Sequence, residues 1–392
     1  MEKIKLKVFG EYISYIYIIT AFLNSKLNMK ISYLLAVMGI IQILFFKEKI
    51  KTNKKVYGLF SILFLLGIIS NFLVSQNDGV GVFIKENSKF FYAVFLFVFL
   101  TGKEKINKIN YSVNIGILLL CFGIFKEISW FLNGSYARQR GILILGIVYL
   151  IIKCFEEIAE KNYKEISFIS LPIALYSIVK LNSRMAVFVI LLCVVFYGLY
   201  CVIIEKKYKK AGNMILIIFF SGLLTYKLLP QEFINRMKTS FHTTNNVSNE
   251  DRIVMWKAGY YIFLENPILG VGTSSKDIQP LLIEYADKNV EKGYLRNEFI
   301  RDKKFSRLHS MYVDFFVQNG MIGFLYIFLL FILIPYEFLK NKNNKIGLSA
   351  FFSIIGFYIY GITWSIWSDY GSIQVVFQIM LALMLINLEN EK

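Results

Sequence analysis

Charged residues are scarce in this sequence of 392 residues: 18% of them are charged, whereas 56% are hydrophobic. Soluble domains average about 25% charged and about 45–50% apolar residues. The charges fall in short groups between apolar runs of 16 to 24 residues, and about 20 apolar residues span a bilayer as a helix, which satisfies its own backbone polar groups. The composition argues against several soluble domains and predicts one polytopic membrane domain over residues 1–392.

Cysteine is rarer still, with four residues in the chain, and this scarcity argues against redox and metal sites. The four cysteines lie in or beside apolar runs and form no C-x-x-C pair, which favours packing roles. Acidic residues outside the apolar runs form no D-x-D pair of the kind that suits Mg²⁺. The Gly270-Val271-Gly272 segment follows no predicted strand and no G-x-x-x-x-G-K-[ST] motif is present, so a nucleotide-binding loop is excluded. The sequence predicts no metal and no cofactor.

What the sequence has in abundance is apolar runs, and these predict an all-α integral membrane protein of about twelve transmembrane helices. The predicted spans are 8–23, 31–46, 56–74, 83–101, 110–132, 138–155, 166–181, 184–204, 211–229, 309–334, 347–366 and 371–388. One long hydrophilic segment, 230–308, separates the ninth and tenth spans, and parity places it outside. Apolar residues recur at helical spacing over 251–265, so this large outer loop is predicted to contain short helices.

Lysine predicts the orientation of the spans. With both termini inside, the cytoplasmic segments hold 22 lysines and no arginine, whereas the short outer connections at 24–30, 75–89, 133–140 and 181–184 hold seven basic residues together. Basic residues concentrate in cytoplasmic loops of membrane proteins. The net charge of +17 is therefore assigned to topology rather than to nucleic acid, and both termini are predicted to be cytoplasmic.

Arginine is distributed differently from lysine, because all eight arginines fall in segments predicted to be external. They are Arg138, Arg140, Arg184, Arg236, Arg252, Arg296, Arg301 and Arg307. The positive-inside rule counts both residue types and does not explain this split. Arginine suits sites where a planar, bidentate donor meets phosphate, so we interpret Arg184 and Arg252, with Arg138 and Arg140, as a diphosphate site. Lipid headgroup contacts and loop salt bridges are the alternative.

The sequence contains two histidines, and one lies where the long loop re-enters the membrane. Histidine is the side chain best suited to proton transfer near neutral pH, which makes His309 the candidate general base. An interfacial residue hydrogen-bonded to its surroundings is the other interpretation. His242 lies in a polar run and is the weaker candidate.

Four segments carry recognisable motifs in a fixed order. They are R-G at 140–141, N-S-R at 182–184, R-x-x-x-W at 252–256 with N-P-I-L-G-V-G at 266–272, and H-S-x-Y at 309–312 with G-M-I-G at 320–323. In order, spacing and sidedness these segments resemble the O-antigen ligase and Wzy-type polymerase superfamily of bacterial glycosyltransferases.

The resemblance implies a GT-C-like membrane fold and a metal-independent, inverting glycosyltransferase at the outer face of the bacterial inner membrane. Its donor would be an undecaprenyl-diphosphate-linked glycan. Arg184 and Arg252 would hold the diphosphate, with help from Arg138 and Arg140, and His309 would act on the acceptor hydroxyl. The partners implied are this donor, a saccharide acceptor and the lipid bilayer.

Three functions remain open at this point. A ligase transfers the glycan to the lipid A–core sugar, and a polymerase joins repeat units on the carrier. A flippase or other transporter is the third, but transporters carry ionisable residues near the bilayer midplane, whereas Lys126, Glu127, Lys180 and Asp369 fall near predicted outer span ends. The ligase is favoured slightly over the polymerase.

Overall fold

The chain folds into helices. The computed structural model describes residues 2–23, 25–47, 52–128, 136–226, 229–238, 247–290, 307–340, 345–367 and 371–386, and within these ranges every regular element is helical. The α-helices are α1 (Glu2–Ala21), α2 (Ser25–Phe46), α3 (Lys54–Val74), α4 (Gly79–Asn87), α5 (Lys89–Tyr92), α6 (Leu96–Phe99), α7 (Ile106–Lys126), α8 (Tyr136–Ala159), α9 (Ser167–Lys180), α10 (Arg184–Ile203), α11 (Tyr208–Tyr226), α12 (Gln231–Lys238), α13 (Val247–Glu265), α14 (Ser275–Asn289), α15 (Met311–Asn319), α16 (Gly323–Phe328), α17 (Ile334–Lys340), α18 (Lys345–Gly361) and α19 (Gly371–Leu385).

Several of these helices are long and apolar enough to cross a membrane. In the described residues there are five, namely Lys26–Phe46, Lys54–Val74, Ile106–Lys126, Arg184–Ile203 and Met311–Lys340, and three shorter apolar helices follow the same pattern. The predicted all-helical, multi-pass membrane protein is therefore confirmed. The count of twelve spans and the GT-C-like arrangement stay predictions.

One predicted span, 83–101, is not a single continuous α-helix. It contains α4, α5 and α6, with a 3-10 turn at Ala93–Phe95 before the last of them. Asn87 lies at the first break, where its side-chain amide donates to the carbonyl of Phe83 (3.0 Å) and accepts from Trp367 Nε1 (2.9 Å). Asparagine in a helix offers such competing hydrogen bonds, and a hydropathy profile does not register them.

Helix α8 is the centre of the bundle and packs against α9, α10, α18 and α19. Its middle, from Ile142 to Leu150, is buried, and a helix of 24 residues is about 36 Å long. Gly141 allows close packing near its start, because a Cβ there would lie 2.3 Å from Ile373. Since α8 runs the length of the bundle, its polar ends mark two opposite ends of the molecule.

The C-terminal end of α8 carries a network of lysines and glutamates, which we call the lysine end. Lys153 lies 2.5 Å from Glu157, and Lys345 lies 3.3 Å from the same carboxylate. Lys210 lies 2.6 Å from Glu156. These pairs join α8 to α11 and α18 and satisfy the charges that the bundle buries there.

Candidate functional site

Arg184 lies at the opposite end of the bundle, which we call the arginine end, at the first position of α10. Ser183 caps this helix: its Oγ accepts from the amide of Ala186 (3.3 Å). Asn182 adopts a left-handed conformation (φ +51°) just before the cap, which asparagine tolerates better than most residues. The N-S-R motif is therefore a turn and a helix cap that place an arginine on a positive helix N-terminus.

Arg140 fixes the same turn from the first part of α8. Its Nε and Nη2 atoms both donate to the carbonyl of Leu181, at 3.0 and 2.6 Å. This bidentate contact ties α8 to the turn that precedes Arg184. Arg138 lies two residues earlier on α8, and its predicted part in diphosphate binding stays a prediction, as does that of Arg140.

Arg252 and His309 meet at Trp364, in the turn that follows α18. The Arg252 guanidinium carbon lies 5.8 Å from the Trp364 ring centroid, and the His309 ring stacks on the same indole with centroids 5.3 Å apart and planes 26° apart. The Trp364 carbonyl accepts from the amide of Met311 (3.1 Å), and Tyr360 packs on the indole at 6.2 Å. Trp364 thus holds the predicted cation and the predicted base on one side chain.

The charge of Arg184 also acts on Arg252. Burial lowers the pKa of Arg252 from its ordinary value, and the positive charge of Arg184 lowers it further. Like charges disfavour each other's charged forms, so this arrangement favours an anion as the third partner. The structure therefore brings Arg184, Arg252 and His309 together from three separate stretches of the sequence.

His309 sits in a turn just before α15 and not within the helix. Its backbone is left-handed (φ +50°), and the following Ser310 caps α15 through the amide of Val313 (3.5 Å). Asp314 accepts from the amide of Leu308 (3.2 Å), which closes the turn from the other side. The serine of the H-S-x-Y motif therefore has a structural role, and it orients the histidine.

Burial lowers the pKa of His309 to about 4, and the charge of Arg252 contributes to the shift. The imidazole is therefore neutral at physiological pH. A neutral imidazole can accept a proton or a hydrogen bond from a hydroxyl group, but a pKa of about 4 makes it a weaker base than one whose pKa lies near the operating pH.

The glycines of the two remaining motifs pack against each other. A Cβ at Gly270 would lie 2.5 Å from the carbonyl oxygen of Val317, and one at Gly320 would lie 2.5 Å from Ile268. The amides of Val271 and Met321 donate across this contact, to Val317 (2.9 Å) and Pro267 (2.8 Å) respectively. Only glycine allows two backbones to approach this closely, so these motifs seat the outer loop on the start of the next membrane segment.

Contacts with α3 and α4 also fix the loop in place. Asp277 accepts from Ser75 and Asn77, each at 2.5 Å. Arg307 is buried and donates to Glu86 (2.9 Å) and to the carbonyl of Thr273 (2.8 Å). These anchors hold α14 and the end of the outer loop against α4 and the connection that precedes it.

Some sequence predictions fall outside the described residues, and one residue of the site was not predicted at all. Arg296, Arg301 and His242 lie outside the described ranges. Trp364 was missed. Its signal in the sequence is its place near the end of the predicted span 347–366, just before the short connection that contains Trp367, and the topology puts this end on the same outer side as the arginines.

An apolar groove of about 740 Å³ lies between α10, α18 and the segments α15–α17, and none of Arg184, Arg252, His309 and Trp364 lines it. Tyr312, Tyr358 and Ile362 line its upper part, close in sequence to His309 and Trp364, whereas Ile203 and Pro335 line its far part. Its lining is almost entirely apolar. The groove suits a hydrocarbon chain.

The sequence is similar to a known protein family and to a known protein. A family model described as O-antigen ligase matches residues 169–328. The predicted family resemblance is confirmed. The matched region contains Arg184, Arg252 and His309, together with the glycine motifs. An uncharacterized protein of Haemophilus influenzae is 21% identical over 332 residues, which cover 79% of this chain and 80% of that protein.

The family indicates an O-antigen ligase or polymerase type of activity on a lipid-linked glycan. Within the residues that the structure describes, no group of three or more histidine, cysteine, aspartate or glutamate side chains is placed to hold a metal ion. The predicted metal independence of the reaction stays a prediction.

Proposed function

We propose that this protein is an O-antigen ligase-type glycosyltransferase that moves a glycan from undecaprenyl diphosphate to the lipid A–core acceptor. The reaction would take place at the outer face of the bacterial inner membrane, with both termini in the cytoplasm. One observation carries the proposal: Arg252 and His309 both contact Trp364, and Arg184 is near enough for its charge to lower the pKa of Arg252. Residues close in sequence to His309 and Trp364 line an apolar groove.

Each part of the site matches one part of the donor. The groove takes the polyprenyl tail, and the two arginines bind the diphosphate through charge-assisted hydrogen bonds. The site then places the sugar on the diphosphate beside His309.

In the reaction, the acceptor hydroxyl oxygen attacks the anomeric carbon of the donor sugar while the bond from that carbon to the diphosphate oxygen breaks. His309 takes the hydroxyl proton, since its imidazole is neutral. The bonding electron pair leaves with the diphosphate, and Arg184 and Arg252 stabilise the charge that develops there. A single displacement of this kind inverts the anomeric configuration.

Purified protein in detergent tests the proposal directly. It is incubated with the lipid-linked glycan and with lipid A–core or a second lipid-linked glycan, and the products are separated by size. We expect transfer to lipid A–core without an ion gradient. Near-normal transfer by Arg184→Ala or His309→Ala at normal protein level would refute the assigned roles, and absence of any transfer with gradient-dependent movement of the glycan would indicate a transporter.

A deletion strain separates the ligase from the polymerase. Loss of all glycan from lipid A–core is expected for a ligase. A single repeat unit remaining on lipid A–core would instead identify a polymerase, because the ligation step would then be intact.

A further inference from the structure

A second concave surface lies between the loop helices α13 and α14, and we call it the aromatic cleft. It has a volume of about 570 Å³, within the range of about 300–1,000 Å³ that is typical of small-molecule sites. It is lined by Trp256, Lys257, Tyr260, Tyr261, Tyr285 and Asn289, together with the apolar side chains of Ile253 and Leu264. The mechanism above uses none of them.

The cleft combines aromatic faces with hydrogen-bonding groups. Tyr260 is 65% exposed, and the Tyr261 and Tyr285 rings lie 5.6 Å apart on its floor. Sugar rings present C–H faces that pack on aromatic rings and hydroxyl groups that bond to amides, amines and phenols, so this lining matches a saccharide.

The position of the cleft links it to the proposed active site. Trp256 follows Arg252 by one helical turn on α13, so the two lie on the same side of that helix. The cleft therefore lies on the same side of α13 as Arg252. If the glycan has more sugar units than the one that reacts, the further units extend out of the site along the outer loop.

The charges around the cleft argue against a membrane-docking role. Lys288 is paired with Glu284 at 2.6 Å, and Tyr261 hydrogen-bonds to Glu265, which raises the pKa of the tyrosine. Helices that rest on anionic membranes present an excess of lysine and arginine. The mixed charges here suit a neutral polyol better.

We propose that the aromatic cleft is an oligosaccharide-binding subsite that holds sugar units beyond the one that reacts. This inference rests on the proposed function. The bound saccharide belongs either to the lipid-linked donor or to the acceptor, and both present the same ring and hydroxyl chemistry.

Binding of soluble oligosaccharides tests the subsite apart from catalysis. Oligosaccharides are released from the surface glycan and from the lipid A–core of the bacterium that produces the protein. Each is titrated separately into the full-length protein, and binding is followed by saturation-transfer NMR. We expect Tyr260→Ala to weaken binding of one of them roughly five- to tenfold, and Tyr260→Phe to bind normally because the ring is kept. Tyr163→Ala is the matched control, since Tyr163 is also 65% exposed but lies in a predicted cytoplasmic loop.

The transfer assay then shows whether the subsite serves the reaction. Tyr260→Ala is expected to raise the KM for the glycan that it binds and to leave kcat nearly unchanged. Unchanged binding of both oligosaccharides by Tyr260→Ala would overturn the subsite, even if Arg184→Ala abolishes transfer. Conversely, normal transfer by Arg184→Ala would refute the proposed function whatever the cleft binds.

A spin label separates a saccharide site from a membrane contact. The four native cysteines are buried, so Tyr260→Cys is labelled selectively in protein reconstituted into bilayers. We expect the label to contact water-soluble relaxation agents and to be immobilised by oligosaccharide. Preferential contact with oxygen dissolved in the lipid would overturn the proposal and assign the surface to the membrane.

Discussion

Two groups of buried basic residues, at opposite ends of the helix bundle, have different electrostatic surroundings. At the lysine end, Lys210 lies 2.6 Å from Glu156 and 3.1 Å from Glu205, and none of the three side chains is more than 16% exposed. At the arginine end, Arg184 and Arg252 lie near each other, and the charge of one lowers the pKa of the other. The first arrangement cancels charge, whereas the second concentrates it.

This difference separates stability from function. A buried ion pair holds helices in one arrangement, and removing one partner is costly because the other stays buried and charged. Cations held close together have the reverse effect, since their repulsion is relieved when an anion binds between them. The lysine end therefore acts as a clamp, and the arginine end is the place where we propose that an anion, the donor diphosphate, binds. Four predictions test this contrast, in order of decreasing effect on transfer.

Substitution of Arg184 by alanine is expected to have the largest effect. Loss of one preorganised donor to a developing charge typically lowers kcat by roughly 10²–10³-fold, and kcat for glycan transfer is the quantity to measure. Arg184→Lys should lower kcat nearly as much, because an ammonium group cannot form the two parallel hydrogen bonds of a guanidinium. Lys30→Ala, an exposed lysine on the same predicted side, is the control and should transfer normally. Full activity of Arg184→Lys would show that charge alone suffices.

Trp364→Ala is expected to lower transfer roughly 10²-fold, since small misplacements of catalytic groups cost about this much. Its indole contacts both Arg252 and His309, so truncation releases both. Trp364→Phe keeps a ring and should recover much of the rate. The comparison is made at equal levels of folded protein, judged by size-exclusion chromatography. If both variants transfer at the native rate, Trp364 is packing and not a support for the site.

The acid limb of the pH profile tests the link between Arg252 and His309. With a pKa of about 4, His309 stays neutral as the pH falls towards 4, and transfer is lost only below that value. Arg252→Gln removes a neighbouring cation that disfavours the imidazolium, so it should raise this pKa towards the ordinary 6.5.

The titration can be followed in the protein itself, because the chain has only two histidines. Carbon-13-labelled histidine in a His242→Gln background leaves a single NMR signal. An unchanged titration midpoint in Arg252→Gln would mean that burial alone sets the pKa. A midpoint near 6.5 in the unmutated site would contradict the buried environment described above.

Local sequence features predicted most of the helices but not the contacts between distant residues. An apolar run of about 20 residues is sufficient to indicate a span, and a serine followed by an apolar helix indicates a start such as that of α10. The break at Asn87 depends on a side chain that bonds to Trp367, 280 residues away. No pattern within a short window contains such information.

The candidate site was predicted in the same partial way. Arg184, Arg252 and His309 were predicted because residue type, sidedness and family motifs agreed, and their roles stay predictions. Trp364 was missed because its role depends on a stacking contact with two residues from other segments. The contact of Arg140 with the carbonyl of Leu181 could not be predicted from the sequence either. Every residue has a backbone carbonyl, and only the folded structure shows which one the arginine reaches.

Breaking a pair at the lysine end is expected to have the smallest effect on transfer and a large effect on stability. In Lys210→Met, Glu156 stays buried and loses its cation, while the Tyr197 hydroxyl still donates a hydrogen bond to it at 2.6 Å. The substitution should lower the free energy of unfolding by about 3–5 kcal/mol. The transfer rate per folded molecule should be unchanged. Lys210→Met combined with Glu156→Gln removes both charges and should recover most of the thermal unfolding midpoint in detergent. A loss of transfer in the double variant at normal stability would show that the lysine end communicates with the site, and the division between clamp and site would then fail.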